Sequence, residues 1–153
     1  MQYWKLSLLA LLFCFSLGFA SPTVVQSHST AQIISNVDSV ENNHSFWVLL
    51  HIKTSPGWHA YWKNPGDSGM PPSLNWVLPD GMAAGDMVFQ PPHRIVLGDL
   101  ANYGYDDNAY YLTPISVKNT MLGDKTLKVH AEWLVCEKEC IPQAGDFTLP
   151  VNV

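Results

Sequence analysis

The segment that decides the fold runs Thr126-Leu127-Lys128-Val129-His130-Ala131-Glu132-Trp133-Leu134-Val135-Cys136. Apolar side chains occupy every second position from Leu127 to Val135, and mostly polar ones lie between them. Because successive side chains of a strand point to opposite faces, this alternation predicts a long strand with one face in a hydrophobic core. Cys136 falls in the polar set, so we expect its sulfur to point away from the main core.

A second alternating segment lies earlier in the chain and predicts another half-buried strand. Its apolar face is formed by Phe46, Val48, Leu50 and Ile52. Shorter strand candidates cover residues 31–37, 58–62, 74–78, 87–90, 110–117 and 147–151. Turn sequences rich in Gly and Pro separate these candidates, and no window of helical periodicity survives between them. The pattern predicts an all-β fold, an immunoglobulin-like sandwich of two sheets.

One stretch breaks the strand pattern. Residues 55–72 contain several Pro and Gly together with three large aromatic residues. This composition predicts a long ordered loop packed by its own rings, a kind of loop that often carries function.

The first residues carry a single positive charge, Lys5, followed by an apolar run from Leu6 to Ala20. This layout predicts a secretory signal peptide over residues 1–20, because the run is shorter than the roughly 20 residues that span a bilayer. Cys14 would be removed with it. Residues 21–153 are then expected to form one domain in the periplasm of a Gram-negative bacterium, an oxidising compartment.

The chain has a formal net charge of −5 and no cluster of basic residues. Nucleic acid and anionic membrane surfaces are therefore not expected as partners. The sequence also lacks the motifs of hydrolytic enzymes, and we expect no small-molecule cofactor.

Cys136 and Cys140 are the two cysteines that remain after residue 20, separated by Glu137, Lys138 and Glu139. A structural disulfide is the default for such a pair in an exported protein. However, a closed loop of about five residues stabilises a fold by only about 2 kcal/mol, which favours a redox role at the strand end. The two glutamates should raise the pKa of a neighbouring thiol and the lysine opposes them, so a fast general reductant is not expected.

Three segments together resemble one family. They are Pro56-Gly57-Trp58-His59-Ala60-Tyr61-Trp62-Lys63-Asn64-Pro65-Gly66-Asp67-Ser68-Gly69, Asn102-Tyr103-Gly104-Tyr105, and Trp133 to Pro142 with both cysteines. The chain resembles the N-terminal periplasmic domain of the thiol:disulfide interchange protein DsbD, in the branch that includes the copper-tolerance protein ScsB. DsbD itself has five residues between its cysteines, whereas three stand here.

The resemblance implies an immunoglobulin-like domain that relays electrons from a thioredoxin-like donor to periplasmic thiol proteins through mixed disulfides. By this likeness Cys140 bonds to partners and Cys136 resolves the mixed disulfide. The likeness also implies an aromatic cap at Tyr103 and Tyr105, with Tyr61 and His59 near the pair. DsbD continues into a membrane electron conductor, so here we expect that conductor to be a separate chain.

Two readings from other classes stay open. The two thiolates could bind Cu(I), a soft-ligand metal, together with one of a scattered set of side chains: Met70, Met82, Met87, His59 or His93. Zinc is less favoured, since no further cysteine or paired-histidine motif completes four ligands. The chain could also be a non-redox binding module with a structural disulfide.

Overall fold

The computed structural model describes residues 22–118 and 122–153. Within these residues it contains twelve strands, and no helix is long and apolar enough to cross a membrane. The strands are β1 (Thr23–Val25), β2 (Ser29–Ser35), β3 (Ser45–Thr54), β4 (His59–Gly66), β5 (Ser73–Val77), β6 (Met82–Ala84), β7 (Val88–Phe89), β8 (His93–Leu97), β9 (Leu100–Asp106), β10 (Asn108–Val117), β11 (Asp124–Cys136) and β12 (Cys140–Asn152).

The strands form two antiparallel sheets that pack face to face, as in an immunoglobulin-like sandwich. Sheet A has the order β1-β2-β3-β10-β6, with β7 also paired to β10. Sheet B has the order β12-β11-β4-β9-β8, with β5 also paired to β11. The predicted fold class is therefore confirmed.

The hydrophobic core lies between the sheets and is lined by the predicted apolar faces. All four alternating residues of β3, from Phe46 to Ile52, are at most 1% exposed. The apolar set of β11 from Leu127 to Val135 is buried as well. Period-two alternation identified both faces because each strand meets the core on one side only.

A buried polar contact joins the two sheets near the centre of the core. The indole Nε1 of Trp133 on β11 donates hydrogen bonds to Ser29 Oγ at 2.9 Å and to Gln143 Oε1 at 3.1 Å. Ser29 belongs to sheet A and Gln143 to β12 of sheet B. The indole N–H is thus satisfied inside the core, where an unpaired donor would be costly.

The predicted loop over residues 55–72 is wrong for its central part, where β4 extends from His59 to Gly66. The strand candidate at 58–62 lies within that strand. Sequence patterning missed β1, β6, β8 and β9, and the last of these contains Ala, Asn and Gly, which form strands poorly. The predicted signal peptide over residues 1–20 lies outside the described residues.

The strand that carries Cys136 pairs with β12 along its whole length. The register runs from Asp124 opposite Asn152 to Cys136 opposite Cys140. On its other edge, β11 pairs with β5 from Lys128 to Glu132 and with β4 at Cys136 opposite His59. Cys136 therefore has a strand neighbour on each side.

Close approach of β9 to β4 requires a glycine at position 104. A Cβ atom there would lie 2.0 Å from the carbonyl oxygen of Ala60 and 3.2 Å from the Cα of Tyr61. These are backbone atoms that cannot turn aside, so the two strands would have to separate.

We expect Gly104→Ala to lower the free energy of unfolding by about 1–3 kcal/mol, in the range of overpacked sites. Denaturant titration of the purified protein measures this change. Gly98→Asn is the matched control, because no heavy atom lies within 4 Å of a Cβ there and Asn tolerates the positive φ of 60°. Equal stability of the two variants would contradict the close approach.

Candidate functional site

The tip of the β11–β12 hairpin carries a disulfide between Cys136 and Cys140, with an S–S distance of 2.00 Å and Cα atoms 4.1 Å apart. Glu137, Lys138 and Glu139 form the connecting turn, in which the Glu137 N–H donates to the Glu139 carbonyl at 3.1 Å. The turn residues are all exposed. A long ladder of paired residues therefore holds the two sulfurs at one end of the sandwich.

The two sulfurs differ in their access to solvent. Cys136 is 0% exposed and lies outside the main hydrophobic core, as its position in the strand pattern predicted. Cys140 is exposed. A reagent that approaches from solvent therefore meets Cys140 first.

His59 and Tyr61 lie beside the disulfide on the same face of sheet B. His59 is the register partner of Cys136 across β4 and β11. Its Nε2 atom forms a hydrogen bond of 3.1 Å with Tyr61 Oη, which in turn lies 3.8 Å from Cys140 Sγ. Both residues thus lie next to the disulfide.

Burial shifts the titration of both side chains. Burial lowers the pKa of His59, although the nearby Asp106 carboxylate partly opposes this shift. Burial raises the pKa of Tyr61, and a hydrogen bond with Ser68 opposes that change. His59 is therefore held toward its neutral form and Tyr61 toward its protonated form.

The segment that follows β4 folds over Tyr61 and is fastened to β9. The Ser68 N–H donates to Asn102 Oδ1 at 2.9 Å, and Ser68 Oγ donates to the same atom at 3.1 Å. The Ala101 N–H donates to Asp67 Oδ2 at 2.8 Å. These bonds fasten Asp67 and Ser68 to β9.

Gly69 lies directly on the Tyr61 ring. It has a φ of +91°, and a Cβ atom there would lie 2.1 Å from Tyr61 Cε1. Any larger residue would displace the ring, because the position combines a left-handed backbone with a contact that leaves no room. The backbone of Tyr61 is anchored as well, since Tyr111 Oη donates to the Tyr61 carbonyl at 2.9 Å.

A cavity of about 500 Å³ opens beside Cys140. One wall is the β8–β9 turn with Leu97, Gly98 and Leu100, and the other is the hairpin tip with its glutamates and Lys138. Ser68 also lines it. The exposed sulfur therefore lies in a recess with an apolar side and a charged side.

The structure places Tyr103 and Tyr105 on β9, away from the disulfide contacts. Tyr105 is part of the core, and its hydroxyl donates to the Gln90 carbonyl at 2.7 Å. Burial raises the pKa of Tyr105 to about 12. Tyr103 is 39% exposed and lies opposite Arg94 on β8, and strand alternation directs it to the same side of β9 as Tyr105.

The side chains weighed for copper are spread over several elements. Met82 is in β6, on the sheet opposite the disulfide, while Met70 is half-exposed. His93 forms an ion pair with Asp106 at 2.8 Å. Among residues 22–118 and 122–153, no three His, Cys, Asp or Glu side chains are grouped as a metal site would require.

Sequence reasoning missed the part that Asn102, Ser68 and Gly69 play around the pair. All three lie in the segments that carry the family resemblance, but Ser68 and Asn102 are 34 positions apart in the chain. The Gly66-Asp67-Ser68-Gly69 turn gave a signal of tight backbone geometry. Its contact with Tyr61 depends on how β4 and β9 pair, which a local pattern does not report.

Solved structures show the same fold. The N-terminal periplasmic domain of ScsB from Proteus mirabilis superposes with a TM-score of 0.64 at 20% identity, covering 86% of this chain. The chain spans half the length of that ScsB structure, 50% of which is covered. The reduced DsbD N-terminal domain of Neisseria meningitidis superposes with a TM-score of 0.54 at 12% identity, covering 80% of this chain and 86% of that one.

No curated protein sequence matches the chain significantly. The family model described as thiol:disulfide interchange protein DsbD, N-terminal, matches residues 27–152. This match includes every strand from β2 to β12 and both cysteines. The chain therefore belongs to the family of DsbD N-terminal domains.

Proposed function

We propose that this domain relays electrons between a thioredoxin-like donor and periplasmic thiol proteins, with Cys136 and Cys140 cycling between disulfide and dithiol. The observation that carries the proposal is the unequal exposure of the two sulfurs. A relay needs one sulfur that a partner can reach and a second that only the first can reach. Cys140 and Cys136 meet these two conditions.

The exchange step follows from this arrangement. A partner thiolate attacks Cys140 Sγ, a bond forms between those two sulfurs, and the Cys136–Cys140 bond breaks. Cys136 leaves as a thiolate with the electron pair of the broken bond and then takes up a proton. The second cysteine thiolate of the same partner then attacks the partner sulfur of the mixed disulfide. Cys140 leaves as a thiolate and takes up a proton, so the partner is oxidised and this domain is reduced.

The cavity beside Cys140 is the proposed docking place for the partner's active-site loop. Leu97 and Leu100 offer an apolar surface, while Glu137 and Glu139 offer negative charge. The aromatic cap that the resemblance implies at Tyr103 and Tyr105 is not part of this proposal, because Tyr105 packs in the core and strand alternation directs Tyr103 to the same side of β9.

We further propose that residues 1–20 direct export and that the domain acts in the periplasm. The ScsB domain with a similar fold is periplasmic, which supports this placement. Electrons would arrive from a membrane conductor through a thioredoxin-like protein. The acidic surface next to Cys140 favours a donor with positive charge around its own cysteines.

A purely structural role for the disulfide is less well supported. The bridge closes a loop of five residues and so stabilises the fold by only about 2 kcal/mol. The hairpin that it joins is already held by a continuous ladder of paired residues. The bridge is therefore placed where it adds little stability and where one sulfur is open to exchange.

Single-cysteine variants test the assigned roles. We expect the reduced Cys136→Ser protein to form a mixed disulfide through Cys140 with a thioredoxin-like protein that lacks its own resolving cysteine and whose remaining cysteine is activated as a mixed disulfide with thionitrobenzoate, which leaves as the free thiolate. The Cys140→Ser protein keeps only the buried thiol and should react at least about tenfold more slowly. Non-reducing electrophoresis over time measures both rates, and equal rates would contradict the assignment.

The reduction potential of the pair distinguishes a redox-active disulfide from a structural one. We expect a value between about −270 and −120 mV, the range spanned by thioredoxin and DsbA. Equilibration of the exported protein in glutathione or dithiothreitol buffers, followed by thiol alkylation, gives this value. A potential below about −300 mV is typical of structural bridges and would overturn the relay proposal.

A further inference from the structure

A chain of hydrogen-bonding groups leads from the exposed sulfur into a buried base. Tyr61 Oη lies 3.8 Å from Cys140 Sγ and 3.1 Å from His59 Nε2. His59 is 2% exposed and lies opposite Cys136 in the register of β4 and β11. The Tyr61 hydroxyl thus links Cys140 Sγ to the imidazole of His59, and that imidazole lies next to Cys136.

We propose that His59, acting through Tyr61, accepts the proton of the Cys140 thiol when the reduced domain attacks a partner disulfide. The proposal rests on the thiol-disulfide exchange proposed above. In this role Tyr61 touches the reacting sulfur, and His59 is a positioning and proton-accepting residue one group away. It requires the tautomer in which Nδ1 carries the hydrogen and Nε2 accepts the Tyr61 hydroxyl.

The step conserves protons and electrons. The Cys140 proton moves to Tyr61 Oη while the Tyr61 proton moves to His59 Nε2, which leaves a thiolate and an imidazolium. The thiolate attacks one sulfur of the partner disulfide, and the other partner sulfur leaves with the electron pair and takes a proton from solvent. Cys136 then gives its proton to solvent, and its thiolate attacks Cys140 Sγ, which restores the bridge and breaks the bond to the partner. The partner sulfur leaves with the electron pair of that bond and takes a proton from solvent, so the partner is released as a dithiol. His59 returns its proton to solvent.

Geometry makes His59 suitable for both steps. Side chains directly opposite each other in an antiparallel pair have Cβ atoms about 4.5–5.5 Å apart. The imidazolium formed in the first step therefore lies close to Cys136, where its positive charge favours the thiolate needed in the second step. Such help matters here because Glu137 and Glu139 lie next to the cysteines and disfavour thiolates.

Charged groups face His59 from the neighbouring strands. Asp106 on β9 is its register partner and raises its pKa, while His93 on β8 lowers it. His93 Nε2 and Asp106 Oδ2 are hydrogen-bonded to each other at 2.8 Å. Glu137 at the hairpin tip lies near Gly57, two residues before His59. Burial is the largest influence and lowers the pKa of His59, so the imidazole is neutral before the step, while the Asp106 carboxylate stabilises the imidazolium that forms.

The pH dependence of Cys140 alkylation tests this role without any partner protein. The exported protein is reduced, and the rate of reaction of Cys140 with iodoacetamide is followed by mass spectrometry between pH 5 and 10. We expect Tyr61→Phe and His59→Gln each to raise the apparent pKa of Cys140 by about one unit. Alkylation at neutral pH should then fall about tenfold, because the thiolate is the reactive form.

The Tyr61→Phe, His59→Gln double variant and a matched control show whether the two residues act together. If Tyr61 and His59 form one route, the double variant should react no more slowly than either single variant. His130→Gln is the matched control, because it removes a partly exposed histidine of β11 that is hydrogen-bonded to Asp146 and is not among the groups that shift the pKa of His59, and its rate should stay within about twofold of the wild type. Tyr61→Phe keeps the ring that packs on Gly69, so it tests the hydroxyl even if His59→Gln does not fold.

Several results would overturn the proposal: superimposable pH profiles for wild type and Tyr61→Phe, or effects of the single variants that multiply in the double variant. Electron exchange with a thioredoxin-like protein is measured in parallel. If the wild type exchanges electrons but the variants are alkylated as fast as the wild type, the role of His59 is overturned and the proposed function is not. Altered alkylation in the variants supports that role, and absence of exchange by wild type would then count against the proposed function only.

Discussion

The site depends on the register of β11 against its two neighbours. A shift of one residue would turn Cys136 toward the core and bring Val135 to the outer face, since a strand alternates with a period of two. It would also move Trp133 away from Ser29 and Gln143, leaving buried polar groups without partners. Core packing and the placement of the reacting sulfurs are therefore set by the same pairing.

Support for the pair comes from segments that are distant in the chain. Asn102 on β9 holds Ser68, the following glycine contacts the Tyr61 ring, and the Tyr61 hydroxyl reaches Cys140. Each contact uses a backbone or side-chain group that sheet B has already positioned. The surroundings of the sulfurs are thus as rigid as the sheet, while the exposed turns beside Cys140 carry fewer constraints.

Patterns with a local cause were visible in the sequence. Alternation in β3 and β11 predicted the sandwich. The position of Cys136 in the polar set of β11 predicted which face of the strand carries its sulfur, because both features follow from strand geometry alone. The fully buried state of Cys136 was not predictable in this way, since it depends on the pairing of β11 with β4, which brings His59 opposite Cys136. The position of Tyr105 in the core likewise depends on the pairing of β9 with β4.

The unequal burial of the sulfurs has a consequence for oxidative damage. A peroxide from solvent reaches Cys140 and converts its thiolate to a sulfenic acid, while Cys136 is shielded. The neighbouring thiol of Cys136 then condenses with that sulfenic acid, expels water and returns the pair to a disulfide. The geometry proposed to order electron transfer would therefore also divert oxidation away from the irreversible sulfinic and sulfonic acids.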